Sequence, residues 1–278
     1  MDFLSSIDLS VIIGFFAITL IIGLAVSRNA GKSSESFFLS GKSMPWWLLG
    51  VSMVATTFSA DTPNLVADLI RKEGVSGNWV WWAFLLTGML TVFFYAKLWR
   101  RLGITTDLEF YEVRYSGTSA AFLRGFRAIY LGVLFNVFIM SIVCLAAVKI
   151  GGVFGFSALQ TLTVAGIITV LYSLMGGLKG VIITDFFQFI IAMVGSIWAA
   201  IYIVNLPEIG GTTELINNPL VKDSINFLPH FNNPESYVPI VIIPRAVQWW
   251  STWYPGAEPG GGGYSVQRML SAKDEKNA

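Results

Sequence analysis

Thr56-Thr57-Phe58-Ser59-Ala60-Asp61-Thr62-Pro63-Asn64 interrupts the apolar run from Met44 to Ile70, and Tyr254-Pro255-Gly256-Ala257-Glu258-Pro259-Gly260-Gly261-Gly262-Gly263 interrupts the run from Tyr237 to Leu270. Both breaks fall where a helix crossing a bilayer is most regular. Backbone groups freed inside hydrocarbon find no water, so such breaks persist only where protein buries them or where they line a cavity that holds something polar. A pair of broken helices therefore predicts a transport site near the middle of the membrane.

Composition agrees with a membrane setting. The chain of 278 residues is 54% apolar and 13% charged, against roughly 25% charged residues in soluble domains. This predicts an all-α polytopic membrane protein. The formal net charge is +1, with basic residues scattered between apolar runs, which excludes a nucleic-acid partner because phosphate binding needs a basic face. Cys144 and His230 are the sole members of their kinds, so an internal disulfide and a His/Cys metal cluster are excluded. No nucleophile, base and orienter stand together, and the chain is not read as an enzyme.

A membrane span needs ~20 predominantly apolar residues. Seven segments qualify: Leu9 to Val26, Met44 to Ile70 (broken), Val75 to Ala96, Ala128 to Val148, Leu159 to Leu178, Val181 to Val204, and Tyr237 to Leu270 (broken). Before the first of these stand Asp2 and Asp8 and no cation, while Arg28 and Lys32 follow it; this reverses a signal peptide's flanks and predicts a retained helix. With the N-terminus outside, the inner connections hold three cations in Ser27 to Ser43, six in Lys97 to Arg127, Lys179, and three from Arg268 onward, most of the 18 Lys and Arg residues. The positive-inside rule thus predicts an N-out, multi-pass protein. Residues 206–236 form the long external connection, rich in Pro and Gly, and are compatible with either an ordered cap or a flexible loop.

The first break is rich in hydroxyl and amide groups, and an unwound helix adds free carbonyls. Neutral oxygens suit a hard cation such as sodium, and half-helix ends supply dipoles for ion and solute. The plain alternative is a proline kink relieved by Ser and Thr bonding their own backbone. In the second break, glycines at about 1 kcal/mol each and two prolines within five residues oppose a helix; the alternative is a loop between two shorter helices. Its neighbours, from Gln248-Trp249-Trp250 to Gln267-Arg268, mix aromatic and polar groups suited to a solute cavity. No Gly-Lys-Ser or Gly-Lys-Thr follows the glycines, so a phosphate loop is excluded as a motif. Asp185 is the sole charged residue between Val181 and Val204. Such carboxylates often lie on ion pathways, although one near the inner end can simply reach water.

Three stretches carry a resemblance. Gly155 through Leu171-Tyr172-Ser173-Leu174-Met175-Gly176-Gly177-Leu178-Lys179-Gly180 to Thr184-Asp185-Phe186-Phe187-Gln188 is similar to the signature of the sodium:solute symporter family. So are Gly41-Lys42-Ser43 leading into Ser52-Met53-Val54-Ala55-Thr56-Thr57-Phe58-Ser59-Ala60, and Gln267-Arg268-Met269-Leu270-Ser271-Ala272-Lys273. The resemblance implies an inverted-repeat, leucine-transporter-like fold of two five-helix units behind one extra helix. Residues 9–26 would be that extra helix, 44–204 the first repeat, and 237–270 the first helix of the second, all within one transmembrane domain, 1–278. The fold would be truncated after core helix six, and the remaining C-terminal helices, with core helix eight and its sodium-site hydroxyls, would be a required partner.

The resemblance also implies a sodium ion held by the carbonyls of Ala55 and Phe58 with Ser59, and Asp185 on the ion release path. Thr57, Asp61, Thr62, Trp81, Glu258 and Gly260 are the candidate substrate residues. Sugar-carrying members place Gln and Glu where this chain has Thr62 and Trp81, so the usual sugar contacts are absent. The expected function is sodium-coupled symport of a small polar organic solute across the cell (plasma or inner) membrane by alternating access. The alternative is a transporter-like sensory input domain of a signalling protein. A seven-helix retinal protein would need a Schiff-base lysine that the seventh segment lacks.

Overall fold

The computed structural model describes residues 4–59, 61–247 and 263–278. These residues are largely helical, and among them the one extended pairing is an isolated parallel bridge between Met44 and Ala272. Among the described residues four helices are long and apolar enough to cross a membrane: Ser6–Ala30, Val75–Leu102, Thr118–Val153 and Ala158–Val204. The first is capped by a reciprocal box in which Ser5 Oγ accepts from the Asp8 N–H while Asp8 accepts from the Ser5 N–H, satisfying two otherwise orphaned donors.

Ala158–Val204 runs for 47 residues. At 1.5 Å per residue that is far longer than the ~30 Å hydrocarbon layer. Gly177, at φ 53° and ψ −160°, divides it, so the sequence segments Leu159 to Leu178 and Val181 to Val204 become two arms of one kinked element. A Cβ on Gly177 would lie 2.8 Å from the Phe37 carbonyl oxygen, which leaves room only for glycine.

The first broken segment is two helices, Trp46–Thr57 and Asp61–Glu73. Of the second, Pro234–Tyr237 and Ile243–Ala246 lie before the break and Gly263–Ser271 after it. Residues 248–262, including Glu258 and Gly260, lie outside the described residues. Two long helices carry π-helical turns, at Thr91–Tyr95 and Tyr130–Phe135; single wide turns of this kind are frequent at functional sites.

The chain divides into two compact units. One comprises Met1–Asp61, Tyr95–Phe187 and Gly261–Ala278. Its core joins Met44, Leu49, Leu178, Ile182 and Ala272, with a second cluster of Leu39, Ile104, Val266 and Leu270. Small residues let the first long helix approach the kinked one: a Cβ on Gly23 would lie 3.2 Å from Tyr172 Cα, and one on Gly176 would lie 3.4 Å from Gly23 Cα. Close backbone contact through glycine is a usual way for helices to associate in lipid, where apolar burial alone supplies no drive. The segment after Ser271 is tied down: Arg100 Nε donates to the Ala272 carbonyl at 2.7 Å, and Arg101 grips Glu275 through two hydrogen bonds at 3.1 and 2.7 Å. Those bonds hold the Glu275 carboxyl below its ordinary pKa.

The other unit comprises Thr62–Phe94 and Gln188–Gly260. Here residues 206–236 form an ordered cap containing the short helices Thr212–Asn217 and Pro219–Lys222. Val75 N–H donates to the Ser224 carbonyl at 2.7 Å, and Trp79 Nε1 donates to the Phe227 carbonyl at 2.8 Å. The Phe227 ring packs 5.2 Å from both Trp79 and Trp82, and the Arg245 guanidinium lies 4.3 Å from the Trp79 ring centre. Aromatic pairs at this spacing add about 0.5–1.5 kcal/mol beyond their buried area. Trp79 and Trp82 therefore pin the cap.

Candidate functional site

The first unit buries a charged cluster. Ser52 and Thr56, at i and i+4, share one face of Trp46–Thr57, and Asp185 faces them from the second arm of the kinked helix. Arg268 enters from Gly263–Ser271. Arg268 Nη2 donates to Asp185 Oδ2 at 2.9 Å and to Thr56 Oγ1 at 2.6 Å, while its Nε donates to Ser52 Oγ at 2.7 Å. Ser52 in turn donates to Asp185 Oδ2 in a short hydrogen bond, and Thr56 donates to the same oxygen at 3.3 Å. Asp185 is 7% exposed, Arg268 3% and Ser52 0%. The possibility that Asp185 simply reaches water is thus not realised.

Burying two charges costs several kcal/mol each, and is tolerated when they pair with good geometry and their remaining groups are hydrogen-bonded. Arg268 meets that demand by also donating Nη1 to its own helix at the Tyr264 carbonyl, 3.1 Å away. All three contacts to Asp185 fall on Oδ2. The sequence singled out Asp185 but gave Arg268 and Ser52 only as parts of motifs. The signal that could have joined them was the need of a lone intramembrane carboxylate for a cation.

The end of Trp46–Thr57 forms the second feature. Phe58 turns extended, φ −87° and ψ 96°, with its N–H on the Val54 carbonyl. The helical pattern stops there, so carbonyls of the last turn, Ala55 among them, pass beyond its reach. Ser59 hydroxyl donates to Asp61 Oδ1 in a short bond, which sets that carboxylate at the start of Asp61–Glu73, where the helix dipole favours negative charge. Thr57 Oγ1 donates to Val54 O at 2.8 Å and Met53 O at 3.3 Å, so its proton is committed to its own helix. Ala55, Thr57, Phe58, Ser59 and Asp61 thus occur together in the first unit.

Thr62 and Trp81 belong to the second unit. Trp81 Nε1 donates to Asn78 Oδ1 at 2.9 Å, and buried Asn78 donates back to the Val75 carbonyl at 3.0 Å. That pair fixes the indole and occupies its one donor. Among the described residues no group of three or more His, Cys, Asp or Glu stands close enough to hold a metal. Carbonyl and hydroxyl oxygens with one carboxylate nevertheless fit an alkali cation, which takes oxygen ligands without needing that cluster.

Similarity to known proteins runs the length of the chain. The sodium/glucose cotransporter of Vibrio parahaemolyticus is 27% identical over 99% of this chain and 51% of its own length. For the sodium/iodide cotransporter of Homo sapiens the figures are 25%, 95% and 41%, and for the sodium/sialic acid symporter SiaT of Proteus mirabilis 26%, 85% and 47%. The chain thus spans about half the length of the curated relatives it matches. A solved Na+-coupled sialic acid symporter, in a substrate-bound outward-open state, superposes with a TM-score of 0.77 at 22% identity, covering 98% of this chain and 55% of that one. The fold is therefore shared with that transporter. These relatives are named as transporters, and they lend nothing to the sensory alternative. The family model described as SSF, sodium:solute symporter family, matches residues 37–278, most of the sequence, and the chain belongs to that family.

Proposed function

We propose that the protein containing this chain drives uptake of a small polar organic solute with sodium entry, by alternating access in the cell membrane, with its N-terminus outside. The observation that carries this reading is the unwound junction between Trp46–Thr57 and Asp61–Glu73, where carbonyls, the Ser59 hydroxyl and the Asp61 carboxylate gather within an apolar segment. In lipid such a junction is sustained by a polar cavity or by bound ligands. Family membership and relatives named as sodium cotransporters support it. The remaining helices of the family fold complete the transporter, and no enzymatic step is part of the reading.

In this mechanism the Ala55 and Phe58 carbonyls and Ser59 bind sodium, which is cargo here. Thr57, Asp61, Thr62 and Trp81 contact solute, as do Glu258 and Gly260. Asp185 lies on the ion's way out. Its carboxylate holds Arg268, so a passing sodium ion competes with the guanidinium for the same charge. Either cation neutralises the buried carboxylate, which lets the pair open without leaving it bare.

The test uses the intact protein in proteoliposomes, screened against polar solutes under an inward sodium gradient and under an equal potassium gradient. Accumulation that needs sodium is expected for at least one solute. Equal accumulation under both gradients would refute sodium coupling.

A further inference from the structure

Apart from the transport machinery, the first unit carries a half-open cavity of about 200 Å³ whose polar lining comes from Asn29, Lys32, Ser36, Ser40, Ser43 and Lys179. Its chemistry is one-sided. Two lysines line it, and no carboxylate does. Neither Lys32 nor Lys179 has an ion-pair partner among the described residues; nearby Lys42, outside the cavity, already pairs with Glu35 at 3.9 Å. Donors in the lining are also left over. Ser36 Oγ accepts from Ser33 at 3.0 Å and keeps its own proton free, whereas Ser43 spends its proton on the Ser40 carbonyl.

Ser40 is the decisive residue. It is 6% exposed, and its Oγ is buried without a hydrogen-bond partner. A buried hydroxyl left unpaired costs about 1–3 kcal/mol. Ser40 also holds a left-handed backbone, φ 53°, which a non-glycine residue rarely adopts. An anion bound in the cavity would neutralise both lysines, and pairing the Ser40 hydroxyl as well would take a small side-chain movement that opens its Oγ to the cavity.

Position narrows the choice of acceptor. Lys32 follows the apolar Ser6–Ala30 helix, and Lys179 follows the Gly177 kink that separates two apolar arms. Both therefore stand where apolar segments end, at the level of lipid headgroups. Basic pockets at that level recognise headgroup phosphates.

We propose that this cavity is a phosphate-binding site, filled by the headgroup of an anionic phospholipid or by soluble phosphate. Lys32 and Lys179 supply charge, and Ser36, Ser40 and Asn29 supply hydrogen-bond donors. The headgroup is the occupant its place at the membrane boundary favours. This assignment is independent of the transport reading.

The experiment takes the intact protein in a zwitterionic detergent and follows phosphatidylglycerol and phosphatidylcholine adducts by native mass spectrometry, with inorganic phosphate titrated separately by thermal shift. Phosphatidylglycerol is expected to be retained over phosphatidylcholine, and Lys32→Ala with Lys179→Ala to weaken it by on the order of tenfold. Ser40→Ala should weaken it several-fold without unfolding, whereas Lys42→Ala, which removes a charge beside the cavity, should stay within about twofold. Stabilisation by inorganic phosphate with the same lysine dependence would support the site and assign it to the soluble anion. Equal retention of both lipids with no effect of phosphate, or equal losses in Lys42→Ala and the Lys32/Lys179 variant, would overturn it.

Discussion

Arg268 and Asp185 lie 83 residues apart in sequence and meet at 2.9 Å, Nη2 to Oδ2, both almost fully buried. Removing one member strands the other's charge, a loss of about 3–5 kcal/mol for buried pairs. Arg268→Ala is therefore expected to lower the melting temperature of the detergent-solubilised protein sharply. Asp185→Asn combined with Arg268→Gln should lose less than the sum of the two single changes. Additive losses would mean that the two residues do not act as a pair.

Sodium coupling is expected to weaken in Ser59→Ala and in Asp185→Ala, each raising the sodium concentration for half-maximal uptake by about tenfold, the usual effect of losing a group that holds or supports a bound ion. Uptake assays at varied sodium measure this directly. Unchanged sodium activation in both variants would remove these residues from the ion's path.

Gly177 combines φ 53° with a Cβ position 2.8 Å from the Phe37 carbonyl. Gly177→Ala should cost about 1–3 kcal/mol from backbone strain, with the steric clash in addition. Gly195, on the same long helix, has nothing within 4 Å of its Cβ position. Gly195→Ala is expected to be neutral or slightly stabilising. Comparing the two melting temperatures separates the kink from general helix propensity.

The cap over Gly74 to Trp82 offers a local readout. A Cβ at Gly74 would come 2.7 Å from the Ser224 carbonyl, and φ there is +68°. Gly74→Ala is expected to speed proteolytic cleavage within residues 206–236, while Trp79→Phe, which loses one hydrogen bond worth about 1 kcal/mol, should have a smaller effect. Identical cleavage in wild type and Gly74→Ala would mean that the cap does not depend on this contact.

Much of the architecture is legible in the amino-acid sequence. Apolar runs mark spans because a bilayer imposes length and composition on a helix. The break at Thr56 to Asn64 was visible because proline and clustered hydroxyls cannot sit quietly in lipid, and Phe58 indeed leaves the helix there. The cap was undecided from sequence, because Pro and Gly allow both order and disorder. Its fixing contacts, Val75 to Ser224 and Trp79 to Phe227, join residues about 150 apart.

What the sequence determined by itself was the class of molecule, its apolar helices, the first break and the family motifs, since each depends on local composition or a contiguous pattern. Only the tertiary structure decided that Asp185 is buried against Arg268, that Ser52 and Thr56 complete its shell, that Gly177 turns one 47-residue helix, and that Ser40, its hydroxyl buried and unpaired, lines one cavity with two lysines. The physical reason is common to all four. Burial, pairing and steric fit depend on which distant segments come into contact, and no local pattern encodes the partner of a charge or the neighbour of a glycine.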